Sequence, residues 1–409
     1  MLTFWRCQWI VSVWLMVVFG VSSATAATTL QLLRMTPEGS DVPPGRQVVF
    51  RFDRPVVSVG RMERRADEVP IRIQPALSCA WRWLNTTSLA CQLDEHHAMA
   101  PSTQYTVTIE PGLVALDGAV MLKPLTRRFV TQRPSVTYTW FRHWRAPSIP
   151  EIVVRFDQPV TAASVGRHLA MVLPDGKRTP VQVKPERPTD HHNWVVSPVK
   201  PLPLDSAIQL RVEPGITAAR GPEPSVEARV IVSFETFPGF SFLGLECTSN
   251  QGDNIHIAPA QPLSAQRRKC NPLNSIYLRF STPVLKEDIV EVLNIVPSLI
   301  GGRTDFDPWA NVRTYPRLSR AHRRGRVYTV RLPGPLKAFT TYGLHTLGKP
   351  IVDVFNRPLS TGIHLRFAMD HRPPTYHLPH PVSVLEQQVE THVPLYVTNL
   401  ANVHLRYQT

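Results

Sequence analysis

Val48-Val49-Phe50-Arg51-Phe52-Asp53-Arg54-Pro55-Val56 returns as Ile152-Val153-Val154-Arg155-Phe156-Asp157-Gln158-Pro159-Val160, and again as Ile276-Tyr277-Leu278-Arg279-Phe280-Ser281-Thr282-Pro283-Val284. In the first copy Phe50 and Phe52 fall on one side and Val49 and Arg51 on the other, the period of two of a half-buried strand. The proline three residues after the last phenylalanine ends that strand, because it has no N–H for a ladder. Phe156 follows Phe52 by 104 residues, and Phe280 follows Phe156 by 124. A period near 100 suits β-sandwich domains and is too long for solenoid units.

Two further segments repeat. Pro101-Ser102-Thr103-Gln104-Tyr105-Thr106-Val107-Thr108-Ile109-Glu110-Pro111-Gly112 is echoed by Leu204-Asp205-Ser206-Ala207-Ile208-Gln209-Leu210-Arg211-Val212-Glu213-Pro214-Gly215, and more loosely by Phe339-Thr340-Thr341-Tyr342-Gly343-Leu344. In each, a polar turn feeds an alternating strand. A closing strand then carries Phe129, Phe234 or Phe367, placed 77, 78 and 87 residues after the first-motif phenylalanine. The expected fold is all-β: sandwich modules over 27–132, 133–236 and 237–370, with proline-containing junctions between them. The remainder, 371–409, holds a strand at Val393–Asn399 and a second at Val403–Tyr407, the start of an incomplete domain.

Forty prolines in 409 residues are too many for a helical protein and suit one rich in turns. At the start, Arg6 precedes an apolar run from Trp9 to Val21, and the small residues that follow end in Ala24-Thr25-Ala26. This is the pattern of a cleaved signal peptide over 1–26, and the run is too short to span a bilayer. The expectation is a secreted chain, periplasmic or in the cell envelope, with no retained transmembrane helix. Without Cys7, four cysteines remain: Cys79, Cys91, Cys247 and Cys270. An even count in an oxidising compartment points to two disulfides. Four cysteines allow three pairings; Cys79 with Cys91 and Cys247 with Cys270 are expected, because each pair falls within one module. Cys79 and Cys91 flank two short strands around a turn at Asn85–Thr87, so their bridge would span a hairpin. The third module is longer than the others before its first motif, and the surplus of about 20 residues holds Cys247 and Cys270. That second bridge is expected to clip an inserted loop.

The R-F-D-x-P-V strand, the Cys79–Cys91 hairpin with Trp81, Trp83, Leu84, Asn85 and Thr86, and the Tyr105–Gly112 segment together resemble the N-terminal bacterial Ig-like modules of bacterial alpha-2-macroglobulins. Val382–Leu400 is similar to the point where those proteins enter their macroglobulin domains. The resemblance implies that 371–409 begins a macroglobulin-like β domain. It also implies a large periplasmic protein that lets a protease cut an exposed bait segment, then changes shape and confines the attacker, a broad endopeptidase inhibitor. Some members carry a Cys-x-Glu-Gln thioester; here Glu386-Gln387 lies behind Val384 rather than a cysteine, so no thioester forms. Bait and thioester regions lie outside this stretch in the family. The implied role is an N-terminal structural and binding arm, with proteases engaged by the full-length protein.

No G-x-S-x-G, H-E-x-x-H, P-loop or dinucleotide fingerprint occurs, so no enzyme, catalytic residue, cofactor or metal is expected. Histidine pairs occur at His96-His97 and His191-His192, with His371, His377 and His380 in the third linker; neighbouring side chains on a strand point to opposite faces, so a pair is not expected to supply two ligands to one metal. Asp94 and Glu95 read as a polar turn, and Asn85-Thr86-Thr87 as a hairpin turn. The net charge of +14 favours anionic partners such as cell-wall polymers or lipid head groups. Its densest part is Arg313, Arg317, Arg320, Arg323, Arg324 and Arg326, a candidate contact for anionic envelope polymers or lipid phosphate through charge-assisted hydrogen bonds. Envelope proteins are a further partner class, and nucleic acid is disfavoured by compartment. The alternative to the inhibitor arm is a free-standing Ig-repeat envelope or adhesion protein, for which that basic surface carries the function.

Overall fold

A computed structural model describes residues 29–378, 392 and 394–404. The expected signal peptide and most of Val382–Leu400, with Glu386-Gln387, lie outside the described residues. Among the described residues the regular secondary structure is almost all β-strand, and the chain divides into two compact units between Gln132 and Arg133.

In the first unit, a five-stranded sheet runs in the order Leu32–Thr36, Gln47–Phe52, Ser88–Gln92, Ala80–Asn85, Glu63–Arg64. A four-stranded sheet of Gly39–Val42, Leu125–Thr131, Gln104–Ile109 and Ile71–Gln74 closes the sandwich. The alternation read in the first motif holds: Val48, Phe50 and Phe52 are buried, and Arg51 is exposed. Phe50 and Phe52 each meet a tryptophan of the hairpin, Trp81 and Trp83, with ring centroids 6.0 Å apart. Tyr105 stacks on Phe129 at 5.2 Å. These aromatic pairs contribute beyond the area they bury.

The second unit holds two hydrophobic clusters. Around the first, seven strands form one continuous sheet: Val136–Ala146, Ile149–Phe156, Asn193–Pro198, Arg178–Pro185, Leu169–Val172, Ala207–Val212, Arg229–Glu235. The sheet curls until its first and last strands meet across the core, where Phe141 lies edge-on to Phe234 at 5.4 Å. Around the other cluster pack a four-stranded sheet (Asn254–Ile257, Phe242–Thr248, Tyr277–Phe280, Tyr328–Arg331) and a three-stranded one (Leu293–Val296, Thr341–Thr346, His364–Ala368). Two short helices interrupt the all-β pattern, Ala162–His168 and Lys286–Val290, each shortly after a first-motif proline. Further along, Thr375–His377 pairs antiparallel with Tyr396–Thr398. Val403 and His404 lie in no strand, and the rest of the strand expected there lies outside the described residues.

The repeats correspond to repeated hydrogen bonds. The first-motif side chain after phenylalanine accepts a backbone N–H from the residue just before the preceding strand each time: Gln31 to Asp53 at 2.9 Å, Ser135 to Asp157 at 3.0 Å, Ser241 to the Ser281 hydroxyl at 2.8 Å. The proline carbonyl accepts from a crossing segment each time: Leu116 to Pro55, Ala219 to Pro159, Val354 to Pro283, at 2.8–3.0 Å. Ser102, Asp205 and Phe339 all adopt positive φ, and their N–H groups reach Gln132, Phe237 and Asp370 respectively. Three residues after two of them, Tyr105 and Tyr342 accept an N–H from Ala100 and Lys337 at 2.9 and 3.0 Å. A tyrosine tied to the backbone just upstream is a recurrent corner device of β-sandwiches.

Candidate functional site

The six arginines singled out in the sequence all lie exposed on the segment from Arg313 to Arg326 in the second unit. Between them the chain turns inward. Leu318, Ala321 and Tyr328, together with Phe355, pack against the hydrophobic cluster of the seven-stranded sheet. The stretch singled out for its charge is therefore also the plug of a joint between the two clusters of this unit. Its outward side carries the charge and its inward side the apolar contacts.

Phe237 is the centre of that joint. It is 2 % exposed and meets Trp144 and Phe355 edge-on at 5.0 Å each and stacks on the His322 imidazole at 4.4 Å. The Trp144 indole N–H donates to the Arg320 carbonyl at 2.9 Å, and the Glu235 N–H donates to the His322 carbonyl at 3.2 Å. His322 Nδ1 lies 2.9 Å from the Tyr328 hydroxyl. Burial lowers the His322 pKa to about 4, helped by the Arg326 charge and opposed by Asp205. Burial likewise pushes Tyr328 up to about 12, with Arg326 opposing. Neutral forms of both are what a water-poor joint favours.

The arginines divide by what they do. Arg324 donates to the Asp205 carbonyl at 3.0 Å and stands 3.7 and 3.9 Å from the carboxylates of Asp205 and Glu235. Arg326 lies 5.4 Å above the Tyr328 ring. Arg320 contributes its carbonyl to Trp144. Arg313, Arg317 and Arg323 make no ion pair among the described residues. A second anchor lies nearby: the Arg357 guanidinium donates to the Pro238 carbonyl at 2.9 Å and to the buried Asp353 carboxylate at 2.8 and 2.9 Å.

Both disulfides form. Cys79–Cys91 ties the ends of the Ala80–Asn85 and Ser88–Gln92 hairpin, whose turn is capped by the Asn85 side chain accepting the Thr87 N–H at 2.9 Å. Cys247–Cys270 does more than clip a loop. Cys247 belongs to the Phe242–Thr248 strand, and Cys270 bridges to Met369 beside the closing strand, so the bond links the two sheets of its core. The expected insertion also supplies a paired strand, Asn254–Ile257.

The histidines noticed in the sequence do not converge. His97 holds Asp94 locally at 2.7 Å, and His371 holds Asp370 at 2.9 Å. Among the described residues no group of three or more His, Cys, Asp or Glu is placed to hold a metal ion. The sequence reading missed His345 and His364, which pair across two strands with Nδ1 atoms 3.4 Å apart. They are 19 residues apart, and only the strand register reveals them. No helix among the described residues is long and apolar enough to cross a membrane.

No protein-family model and no curated protein matches the chain. Among solved structures, an L,D-transpeptidase from Mycobacterium tuberculosis is similar at 16 % identity over 44 % of this chain and 75 % of that one, with a TM-score of 0.19. A fragment of native alpha-2-macroglobulin from Escherichia coli is similar at 12 % identity over 61 % of this chain and 93 % of that one, with a TM-score of 0.20. The S-layer protein SbsC is similar at 10 % identity over 86 % of this chain and 42 % of that one, with a TM-score of 0.18. Scores this low assign neither a shared fold nor a function.

Proposed function

We propose that this chain is the N-terminal structural and binding arm of a periplasmic protease-trapping inhibitor of the bacterial alpha-2-macroglobulin kind. The observation that carries this reading is the Phe237 joint. Two adjacent β cores share buried aromatics, a Trp144–Arg320 hydrogen bond and an Arg324–Asp205 contact, which suits a stiff spacer better than a flexible string of beads. Three modules with one hydrogen-bonding plan, and the motif resemblance of the Cys79–Cys91 hairpin, add support. Two disulfides suit an oxidising envelope compartment. The arm supplies spacing and contact surface, and protease capture belongs to the rest of the protein.

The charge distribution favours a second reading. Residues 237–370 carry 17 Lys and Arg against 9 Asp and Glu, an excess suited to anionic polymers of the envelope. Arg313, Arg317, Arg320 and Arg323 are the side chains with guanidinium groups to spare for them.

The two readings separate on the size of the native protein, detected in cell envelopes by an antibody against residues 29–132. A band several times heavier than 46.1 kDa, together with protease capture by that full protein, supports the inhibitor arm. A band at or slightly below that mass, together with salt-sensitive binding of the purified chain to anionic envelope extract, supports the free-standing module array.

A further inference from the structure

His345 and His364 face each other across the Thr341–Thr346 and His364–Ala368 strands, in direct register. Their in-chain neighbours Leu344 and Leu365 are buried, so alternation puts both imidazoles on the outer face of the three-stranded sheet. His345 is half-buried and His364 exposed. Their ring centroids are 5.6 Å apart and the two Nδ1 atoms 3.4 Å apart. Two nitrogens each about 2.0–2.1 Å from one zinc ion, and subtending a tetrahedral angle, stand roughly 3.4 Å apart. The observed separation therefore already matches the bite of a single cation.

A second feature orients the ring. Gly343 lies two residues before His345 on the same face, and a Cβ there would come within 2.9 Å of His345 Nε2. The glycine leaves room for the imidazole to lie back along its own strand, which turns Nε2 towards Gly343 and leaves Nδ1 for His364. Any larger residue at 343 would displace the ring.

From this geometry we infer that His345 and His364 form a two-histidine site for a borderline divalent transition cation, with zinc as the reference ion and water filling the remaining positions. Imidazole nitrogen suits zinc, nickel and copper, whereas calcium and magnesium require oxygen donors. Each histidine binds as the neutral ring protonated on Nε2, with the Nδ1 lone pair on the metal. His364–Ala368 is the edge strand of its sheet and closes the third module, so the cation pins that edge to the strand beside it. The site is independent of the inhibitor-arm reading.

The test is calorimetric titration of the purified chain with zinc chloride, and separately with magnesium chloride, alongside His345→Gln, His364→Gln and Gly343→Val. The expected result is one zinc per chain with a Kd in the micromolar range, weakened roughly tenfold or more by either histidine change. Magnesium gives no heat of binding, and Gly343→Val weakens zinc binding with both histidines present. Because His364 is exposed, its glutamine variant keeps the native circular dichroism, which separates lost binding from lost folding. Absence of saturable zinc binding overturns the inference, as does binding of equal strength in both histidine variants.

Discussion

Burial of the His322 imidazole, with Arg326 beside it and Asp205 opposing, holds its pKa down to about 4 from 6.5. A depressed histidine favours the folded state in its neutral form. The stabilisation is complete above the unfolded value near 6.5, declines as pH falls towards about 4, and changes no further below that. The span corresponds to roughly 3 kcal/mol. Denaturant melts of the native chain between pH 7 and 4 should lose about that much, and His322→Phe, which keeps the stack on Phe237, should flatten the slope. Equal slopes in the two proteins would refute this account. Gly244 is a sharper case of local dictation. It sits at φ +108° in the Phe242–Thr248 strand, and an added Cβ would overlap the Ile257 carbonyl oxygen. Gly244→Ala should cost about 2 kcal/mol or more, through left-handed strain and loss of the Asn254–Ile257 pairing. Hydrogen exchange at Ile257 is the measurement. A variant with unchanged protection there would show that the strand end yields easily.

Among the elements, the Ala80–Asn85 and Ser88–Gln92 hairpin is the one whose design was most open to reading. Its alternating tryptophans, its Asn-Thr-Thr turn and its flanking cysteines are all local signals. The bridge closes a separation of 12 residues, for which the chain-entropy model gives about 3 kcal/mol. Replacing Cys79 and Cys91 together by serine should lower urea stability by about that amount in the first unit, reported by Trp81 and Trp83 fluorescence. No change in midpoint would place the stabilisation in the Phe50 and Phe52 contacts alone. The Cys247–Cys270 element was only half legible. Its pairing follows from module membership, but its role depends on where Cys270 docks. That docking runs through the Cys270 N–H to the Ala368 carbonyl at 2.9 Å and the Asp370 N–H to the Cys270 carbonyl at 2.8 Å. No periodicity announces such a bridge, because Cys270 stands outside any regular strand.

At the scale of the whole second unit, the joint decides whether its two cores move as one. Trp144→Ala removes both an aromatic wall of Phe237 and the hydrogen bond to Arg320. It should cost about 3–5 kcal/mol and open the Arg313–Arg326 segment to limited proteolysis. Cleavage there at the native rate would mean that the segment is held by Arg324 and Asp205 rather than by the aromatics. The same comparison separates the two sides of the segment. Arg313→Ala or Arg317→Ala should leave proteolysis unchanged, because neither side chain touches the joint.

By itself the sequence determined the all-β class, the threefold repetition and the inward faces of the first-motif strands. Those depend on period-two patterning and proline punctuation, which act over a few neighbouring residues and repeat visibly along the chain. It also marked the arginine segment as a place of charge. Only the tertiary structure decided that this segment faces two ways, that Cys270 ties two sheets, and that His345 meets His364. Each of those depends on strand register or on contacts between distant residues, such as the 176 positions between Trp144 and Arg320. A linear pattern carries no such distances. Burial and register set them once the modules close.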